Sequence, residues 1–352
     1  MSRLADDLDL NPGKQNAGEI LYIGNIFSKQ GRGVTVIETL GLCLEERYIV
    51  HYASGRRSRI GRLFHMLVSV VGLRKRVSVV LIDTYSTLNF YYALAVSQLC
   101  RLLRVPYIPI LHGGNLPARL ARSPRSSRSI FRHSRLNVAP SKYLQRAFSE
   151  RGYQVICIPN SIPLADYPFL RRNRCEPKLL YVRAFAAIYN PEMAIRTLSH
   201  LVKRYPNAGL YMVGPDRDGT LDRCRQLVDK LGLGERVTFS GQLGKPEWHR
   251  LSKSYDIFIN TSDFDNMPVS VIEAMALGLP VVSTDPGGMP DLVEGGNTGL
   301  LVRCGDAEGM ATRVGYLIEQ PLEARRLAEN ARRKITYLDW QIVKKQWFEL
   351  LG

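Results

Sequence analysis

Twelve short apolar runs, rich in Val, Ile, Leu and Tyr, alternate along this chain with longer segments of helical periodicity. Six runs lie before residue 163, from EILYIGNIF to VICIPNSI, and six follow it, from KLLYVRAF to GLLVRCG. Continuously apolar strands separated by helices form parallel sheets that helices cover on both faces. The sequence therefore predicts an α/β protein with two such sheets, whose ligands bind beyond the carboxyl ends of the strands, in the cleft between them.

The length of 352 residues suits two domains of similar size. The boundary is expected between Pro163 and Lys178, around the basic, turn-like segment RRNRCEPK. The last segment, LDWQIVKKQWFELL, has the pattern of an amphipathic helix with Trp340 and Trp347 on its apolar side. The expected parts are a flexible tail (1–17), a first domain (18–168), a second domain (169–335) and a final helix (336–352).

Cysteine usage and the first residues predict the compartment. The six cysteines form no CxxC pair and no cluster with histidine, which favours a reducing environment. The polar start lacks the apolar core of a signal peptide, and the run Leu63–Leu73 is too short for a membrane span. We expect a cytoplasmic protein that can lie at the inner face of the plasma membrane without crossing it.

The segment Asp256–Thr284 carries the strongest chemical signal and is typical of a strand, a loop, a helix and a further strand. Asp265 falls in the loop, and Glu273 follows eight residues later within the helix. The backbone amides of Asn266, Met267 and the residues after Pro268 cluster near the helix start, where an anionic diphosphate binds favourably. A carboxylate in the helix can accept hydrogen bonds from both ribose hydroxyls, and one in the loop can orient a hydroxyl of a donor sugar. Alternatively, Glu273 is a helix-surface residue and Asp265 a loop cap.

Arg183 follows a predicted buried strand in YVRAF, where its planar guanidinium could bind a diphosphate. The other interpretation is a strand-end arginine paired with an acidic neighbour. Asn190 is a weaker candidate for nucleotide-sugar binding, because it also fits the N-cap position before Pro191.

Two elements of the first half could complete the site. Gly31 and Gly33 lie between a strand and a helix, where bare amides can approach a phosphate. An ordinary turn is the alternative. His112 in ILHGGNLP falls at the carboxyl end of a strand, where ligands of parallel sheets collect, although a solitary histidine can also serve only the structure.

With these motifs the chain resembles the family 4 glycosyltransferases of the GT-B fold, whose signature is an acidic residue, seven others and then Glu. Its flanks MPVSVIEAMALGLPVV fit as well. The resemblance implies two facing Rossmann-like domains, the first for the acceptor and the second for the nucleotide-sugar, with a last helix that crosses back. It assigns catalytic roles to Asp265, His112 and Arg183. Smaller matches are Ser141, Asn160, Gly214 and the run Gly287–Val293.

Two departures from the family pattern occur. Asp265 stands where most members have Glu, and Tyr189, Asn190 and Pro191 stand where a phosphate-binding Lys is expected. The resemblance implies transfer with retention, from a nucleotide-sugar with UDP favoured over GDP, to a glycolipid or polysaccharide. It implies neither a metal nor a cofactor, and the triplets Asp216–Asp218 and Asp263–Asp265 are interpreted as coincidental. An epimerase of the same fold and a basic nucleic-acid-binding protein are the alternatives, although no nucleic acid is expected.

The net charge of +16 is concentrated in the first half: residues 1–165 carry +14 and the rest +2. Such asymmetry indicates an anionic partner of the first half, which can be a membrane surface, a phosphorylated acceptor or nucleic acid. Arginines three or four residues apart predict a basic helical stripe, which Pro124 is positioned to interrupt, and those assigned to an acceptor or anionic surface are Arg119, Arg122, Arg128 and Arg132. A second basic and apolar segment, residues 56–76, fits an interfacial helix or a helix packed on the first sheet equally well.

Overall fold

The computed structural model of the chain describes residues 18–26, 35–53, 56 and 58–352. The first domain holds a six-stranded sheet, entirely parallel, in the order β2-β1-β3-β4-β5-β6. Its strands are β1 (Glu19–Ile23), β2 (Ile49–Ala53), β3 (Val77–Thr84), β4 (Tyr107–Leu111), β5 (Asn137–Ala139) and β6 (Val155–Cys157). Its helices are α1 (Val36–Leu44), α2 (Arg59–Leu73), α3 (Asn89–Leu102), α4 (Leu116–Arg122), α5 (Pro124–Phe131) and α6 (Lys142–Ser149).

The period of two along each strand divides the core of the first domain into two layers. Leu21 and Ile23 of β1 pack with α2, α3, α5 and α6 on one face of the sheet. Ile20 and Tyr22 face α1 and the C-terminal helix on the other. Both faces are covered, which is why the strands are apolar throughout rather than alternating.

The second domain repeats this plan with a parallel sheet in the order β12-β11-β10-β7-β8-β9. The strands are β7 (Lys178–Val182), β8 (Gly209–Val213), β9 (Val237–Gly241), β10 (Ile257–Asn260), β11 (Val281–Thr284) and β12 (Leu300–Val302). The helices are α7 (Pro191–Leu201), α8 (Thr220–Lys230), α9 (Lys245–Leu251), α10 (Val269–Ala276), α11 (Met289–Leu292), α12 (Ala307–Glu319) and α13 (Pro321–Lys334). Each of the twelve apolar runs in the sequence forms one of these strands.

The C-terminal helix α14 (Trp340–Leu351) returns to the first domain. Trp340 and Trp347 are buried there against α1 and the first sheet. Trp340 donates its indole N–H to Glu46, at 2.5 Å, and Lys344 forms an ion pair with the same carboxylate. The predicted two-domain α/β fold with a helix crossing back is therefore confirmed.

The basic segment after His112 differs from one continuous helical stripe. The helix is interrupted at Ser123, between α4 and α5. Pro124 begins α5, because proline has no N–H to donate to the preceding turn. Arg122, Arg128 and Arg132 are exposed, but Arg119 turns inward and donates two hydrogen bonds to the Ser86 carbonyl. Among the described helices, none combines the length and apolarity needed to cross a bilayer.

Candidate active site

The carboxyl ends of β4, β7 and β10 meet at the cleft between the domains, around a cavity of about 440 Å³. This is where parallel sheets collect their ligands. The cavity brings together residues that lie far apart in the sequence. From the predicted set it is lined by His112, Arg183, Gly214, Asp265, Asn266, Met267, Pro268 and Glu273.

Arg183 and Asp265 form a buried ion pair at one side of this cavity. Nη2 of Arg183 lies 3.0 and 2.8 Å from the two carboxylate oxygens, and the guanidinium stacks over the Tyr189 ring at 4.2 Å. Burial opposes the charge, yet Asp265 and Tyr189 hold the pKa of Arg183 above its ordinary value. This pairing is the one expected of a strand-end arginine with an acidic neighbour. Because both side chains line the cavity, they can also contact a ligand.

Helix α10 begins in the cavity with its first amides uncapped. Pro268 is its N-cap and offers no side-chain acceptor, and the first turn holds no acidic residue. The first four amides of a helix have no partner within it, which makes such a start favourable for an anion. Asn160 lies in the interdomain linker, residues 158–177, between β6 and β7. It positions the residues just before α10, because its side-chain amide donates to the Met267 carbonyl at 2.9 Å.

Three polar side-chain atoms at the cavity wall are buried without a hydrogen-bond partner among the described residues. They are Nε of Arg183, Nδ2 of Asn266 and Oγ of Ser270. Buried donors in native proteins are normally satisfied, so three unpaired donors beside a cavity indicate that ligand oxygens complete them.

Glu273 lies one turn into α10, buried, between two residues from other elements. Tyr167 donates its hydroxyl to Oε1 at 2.8 Å, and Nζ of Lys245 lies 2.9 Å from the same oxygen. Burial, together with the Glu273 carboxylate, raises the pKa of Tyr167 well above its ordinary value, so this hydroxyl remains a donor. Oε2 of Glu273 is left to accept hydrogen bonds from a ligand.

His112 is oriented by a carboxylate beneath it. Nε2 lies 2.7 Å from Oδ1 of Asp83, and Tyr22 donates its hydroxyl to that same oxygen at 3.0 Å. The His112 and Asp83 side chains are 4% and 1% exposed. A carboxylate oxygen accepts, so Nε2 is the donor in this contact, and Nδ1 is the ring nitrogen left to contact a hydroxyl of a ligand.

A second cavity, of about 730 Å³, adjoins the first. Its wall is largely apolar and comes from both domains and the last helix, with Leu40, Ile110, Pro163, Leu277 and Trp347 among its residues. His112, Asn160 and Lys245 line both cavities, so they stand at the junction between them.

Asn190 does not line either cavity. It adopts a left-handed conformation with φ of 44°, and its side chain accepts from the Met193 amide at the start of α7. The structure therefore gives it the capping role and no support as a nucleotide-sugar ligand. Gly214 lines the cavity and packs directly against the backbone of Arg183, because a Cβ at this position would overlap the Arg183 carbonyl. Gly31 and Gly33 lie outside the described residues.

Both acidic triplets are occupied by other interactions. Asp216 and Asp218 accept hydrogen bonds from the Gly219 and Thr220 amides at the start of α8, and Asp218 also accepts from the Ala187 amide before α7. Asp263 accepts a hydrogen bond from the side-chain amide of Asn190, and Asp265 forms an ion pair with Arg183. Within the described ranges, no group of three His, Cys, Asp or Glu side chains is arranged to hold a metal ion.

Sequence reasoning missed Asp83, Tyr167 and Lys245, which hold the functional side chains in place. Asp83 lies in the strand run VVLIDTYS, and a carboxylate near the end of an apolar strand was the available signal. Tyr167 belongs to the interdomain linker and Lys245 begins α9, and neither lies in a recognisable motif, so only the folded chain brings them to Glu273.

The two facing parallel sheets, the interdomain cavity and the returning helix define the GT-B architecture of glycosyltransferases. Residues 168–334, most of the second domain, match the family "Glycosyl transferases group 1". A glycogen synthase of Mycobacterium tuberculosis is 30% identical over 195 residues, which cover 54% of this chain and 46% of that protein. The chain thus spans less than half the length of this curated relative.

Solved structures agree over nearly the whole chain. HepE of Anabaena, in complex with UDP and glucose, superposes with a TM-score of 0.73 at 19% identity, covering 95% of this chain and 99% of HepE. Sucrose-phosphate synthase from Thermosynechococcus elongatus superposes with a TM-score of 0.79 at 18% identity, covering 95% and 98%. At such identities the likeness establishes the fold.

Proposed function

We propose that this chain is a glycosyltransferase that moves a hexose-type sugar from a UDP-sugar to a lipid-linked or polysaccharide acceptor, with retention of configuration. The observation that carries the proposal is the unsatisfied polar wall of one cavity. Among the described residues, Nε of Arg183, Nδ2 of Asn266 and Oγ of Ser270 are buried without a hydrogen-bond partner, and no side chain caps the start of α10, so the oxygens of a donor would complete this wall.

The donor is placed by these groups along α10. Its diphosphate lies against the helix start, with Arg183 beside it, and its ribose hydroxyls reach Oε2 of Glu273 one turn further on. The sugar then extends towards Asp265 and His112. Asp265 exchanges part of its contact with Arg183 for a sugar hydroxyl, which leaves the guanidinium to the phosphate.

The leaving diphosphate is stabilised by cations and amides rather than by a metal. Besides Arg183, the side chains of Arg217 and Lys245 line the cavity. They supply positive charge in the cavity, which the segment Tyr189–Pro191 does not provide. Donors fixed in place where negative charge develops lower the barrier to transfer.

The acceptor occupies the larger cavity. His112 stands at the junction of the two cavities, where the transferred sugar must lie between donor and acceptor. The apolar wall of the larger cavity suits the apolar part of a lipid-linked acceptor.

The choice of UDP is supported by HepE, which has been solved with UDP and with UDP-glucose. We would titrate the protein with UDP and with GDP by calorimetry, with and without EDTA. UDP should bind more tightly than GDP, and EDTA should leave its affinity unchanged. Glu273→Gln should weaken UDP binding by about tenfold or more, because two charge-assisted hydrogen bonds to the ribose are lost. Glu323→Gln, on the exposed surface of α13, is the matched control.

Absence of binding to either nucleotide would reject the proposal. A nucleotide that binds equally well to Glu273→Gln would reject the assigned ribose site alone. Turnover of a UDP-sugar without any acceptor, to a second nucleotide-sugar, would favour the epimerase alternative. The anomeric configuration of a transferred sugar, determined by NMR, tests retention.

A further inference from the structure

Helix α2 has two apolar faces, although only one of them packs on the first sheet. Met66 and Val70 are buried in the core. On the opposite side Ile60 and Phe64 are 84% and 68% exposed, and Val68 and Val71 continue the same stripe. Residues spaced by three or four lie on one side of a helix, so these four form a continuous apolar strip in solvent.

Helix α3 widens this strip into a groove. Leu67, Val68 and Val71 of α2 face Ala95, Leu99 and Leu102 of α3 across a shallow groove of about 670 Å³. Leu88 and Tyr91, at the start of α3, are also exposed. Soluble proteins seldom expose large contiguous apolar patches unless the patch binds something.

The surroundings of this patch carry charge of one sign. Between residues 47 and 149 the sequence has eighteen Lys and Arg but a single acidic residue, Asp83, which is buried. Arg59, Arg74, Lys75, Arg101 and Arg104 are exposed at the ends of α2 and α3. Helix α5, which packs beside α3, adds Arg125 and Arg128. An apolar strip bordered by arginines fits an anionic lipid surface, where acyl chains meet phosphate headgroups.

We propose that the outer face of α2 and α3 docks on an anionic membrane, with Ile60 and Phe64 inserted below the headgroups. Both helices start at the carboxyl edge of the first sheet, so Ile60 and Leu88 lie at the end of the domain that borders the cleft. Docking there holds the cleft next to the lipid surface. This inference rests on the exposed face alone and stands independently of the proposed sugar transfer.

Charge also argues against a second copy of the chain as the occupant. Two such faces would bring their arginines together, and like charges across an interface are unfavourable. An anionic bilayer supplies the opposite charge and releases its counterions on contact, so the attraction should fall as salt is raised.

The test is flotation of the full chain with vesicles of phosphatidylcholine, with and without phosphatidylglycerol. The wild type should float with the anionic vesicles and not with the neutral ones, and raised salt should release it. The double variant Ile60→Gln/Phe64→Gln should bind at least about tenfold more weakly, because two large side chains no longer leave water. Leu322→Gln, 79% exposed on α13 of the second domain, is the matched control and should bind within about twofold of the wild type.

A second measurement reports insertion directly. The variant Phe64→Trp should show additional fluorescence quenching by brominated lipid over the wild type, whereas Leu322→Trp should not. Unchanged vesicle binding of the double variant, no vesicle binding at all, or no added quenching for Phe64→Trp would overturn the proposal. A wild-type dimer in sedimentation that the double variant loses would identify a second copy as the occupant instead. UDP binding measured on every variant separates these outcomes from failure of the donor site.

Discussion

Gly114 of the first domain touches the backbone of Asp265 in the second. A Cβ added at Gly114 would lie 2.9 Å from the Asp265 carbonyl carbon and 3.0 Å from its oxygen. Nearby, Ser141 is hydrogen-bonded to the Asn266 side chain, and the Tyr143 amide donates to Asp291. The HGGN turn therefore sets how closely His112 and Asp265 approach across the cleft.

Gly114→Ala should lower donor turnover by about tenfold or more while UDP affinity changes little. The added methyl group forces the domains apart at a point where small misplacement of reacting groups is costly. The measurement is UDP release at saturating UDP-sugar, together with calorimetry. Gly234→Ala, where an added Cβ meets nothing within 4 Å, is the control. Turnover equal to the wild type would show that this contact does not set the active spacing.

Asp83→Asn should reduce turnover through His112. Asparagine keeps the volume but removes the charge that holds the donated proton of Nε2, so the imidazole loses its fixed orientation. We expect the maximal rate to fall by about tenfold, with UDP affinity unchanged. Tyr22→Phe removes the other partner of the same carboxyl oxygen and should cost less. Equal losses in the two variants would contradict a positioning role specific to His112.

Arg172→Met should lower the free energy of unfolding by about 2 to 4 kcal/mol. The buried guanidinium donates to the carbonyls of Ser252, Tyr255 and Gly278, among others, and so fastens the linker to the second domain. Methionine fills the space but leaves these acceptors unpaired. Urea denaturation would measure the change. The neighbouring Arg171→Met removes only an exposed ion pair with Glu329 and should cost under about 1 kcal/mol.

His249 should make the protein less stable in mild acid. Burial lowers the pKa of His249, and Lys245 lowers it further, although Glu273 opposes them. A base whose pKa is depressed on folding is held neutral, so its stabilising contribution is present above the unfolded-state pKa and is lost as pH falls below it. Between about pH 7.5 and 5.5, spanning the ordinary histidine pKa, the wild type should lose more unfolding free energy than His249→Asn. An equal loss of unfolding free energy in the wild type and in His249→Asn would show that His249 is not the source of the pH dependence.

The local sequence pattern was sufficient to predict the strands. A strand covered on both faces requires a short apolar run, and each of the twelve runs forms one strand. The pattern was also sufficient to place Asp265 in the loop before α10 and Glu273, eight residues later, within that helix. Pattern was ambiguous for Asn190, since capping and ligand binding use the same amide group, and the structure shows the capping contact with the Met193 amide.

The sequence by itself determined the two parallel sheets, the returning helix with its buried tryptophans, and the carboxylates of the second domain, since these depend on periodicity and short spacings. Only the tertiary structure decided what surrounds them: Asp83 beneath His112, Tyr167 and Lys245 on Glu273, and Gly114 against Asp265. The apolar strip of α2 belongs to this second group, because the sequence fits an interfacial helix and a helix packed on the first sheet equally well, and only the folded chain shows which side chains the sheet covers. Contacts between residues distant in sequence depend on how the layers pack, and no local pattern specifies that packing.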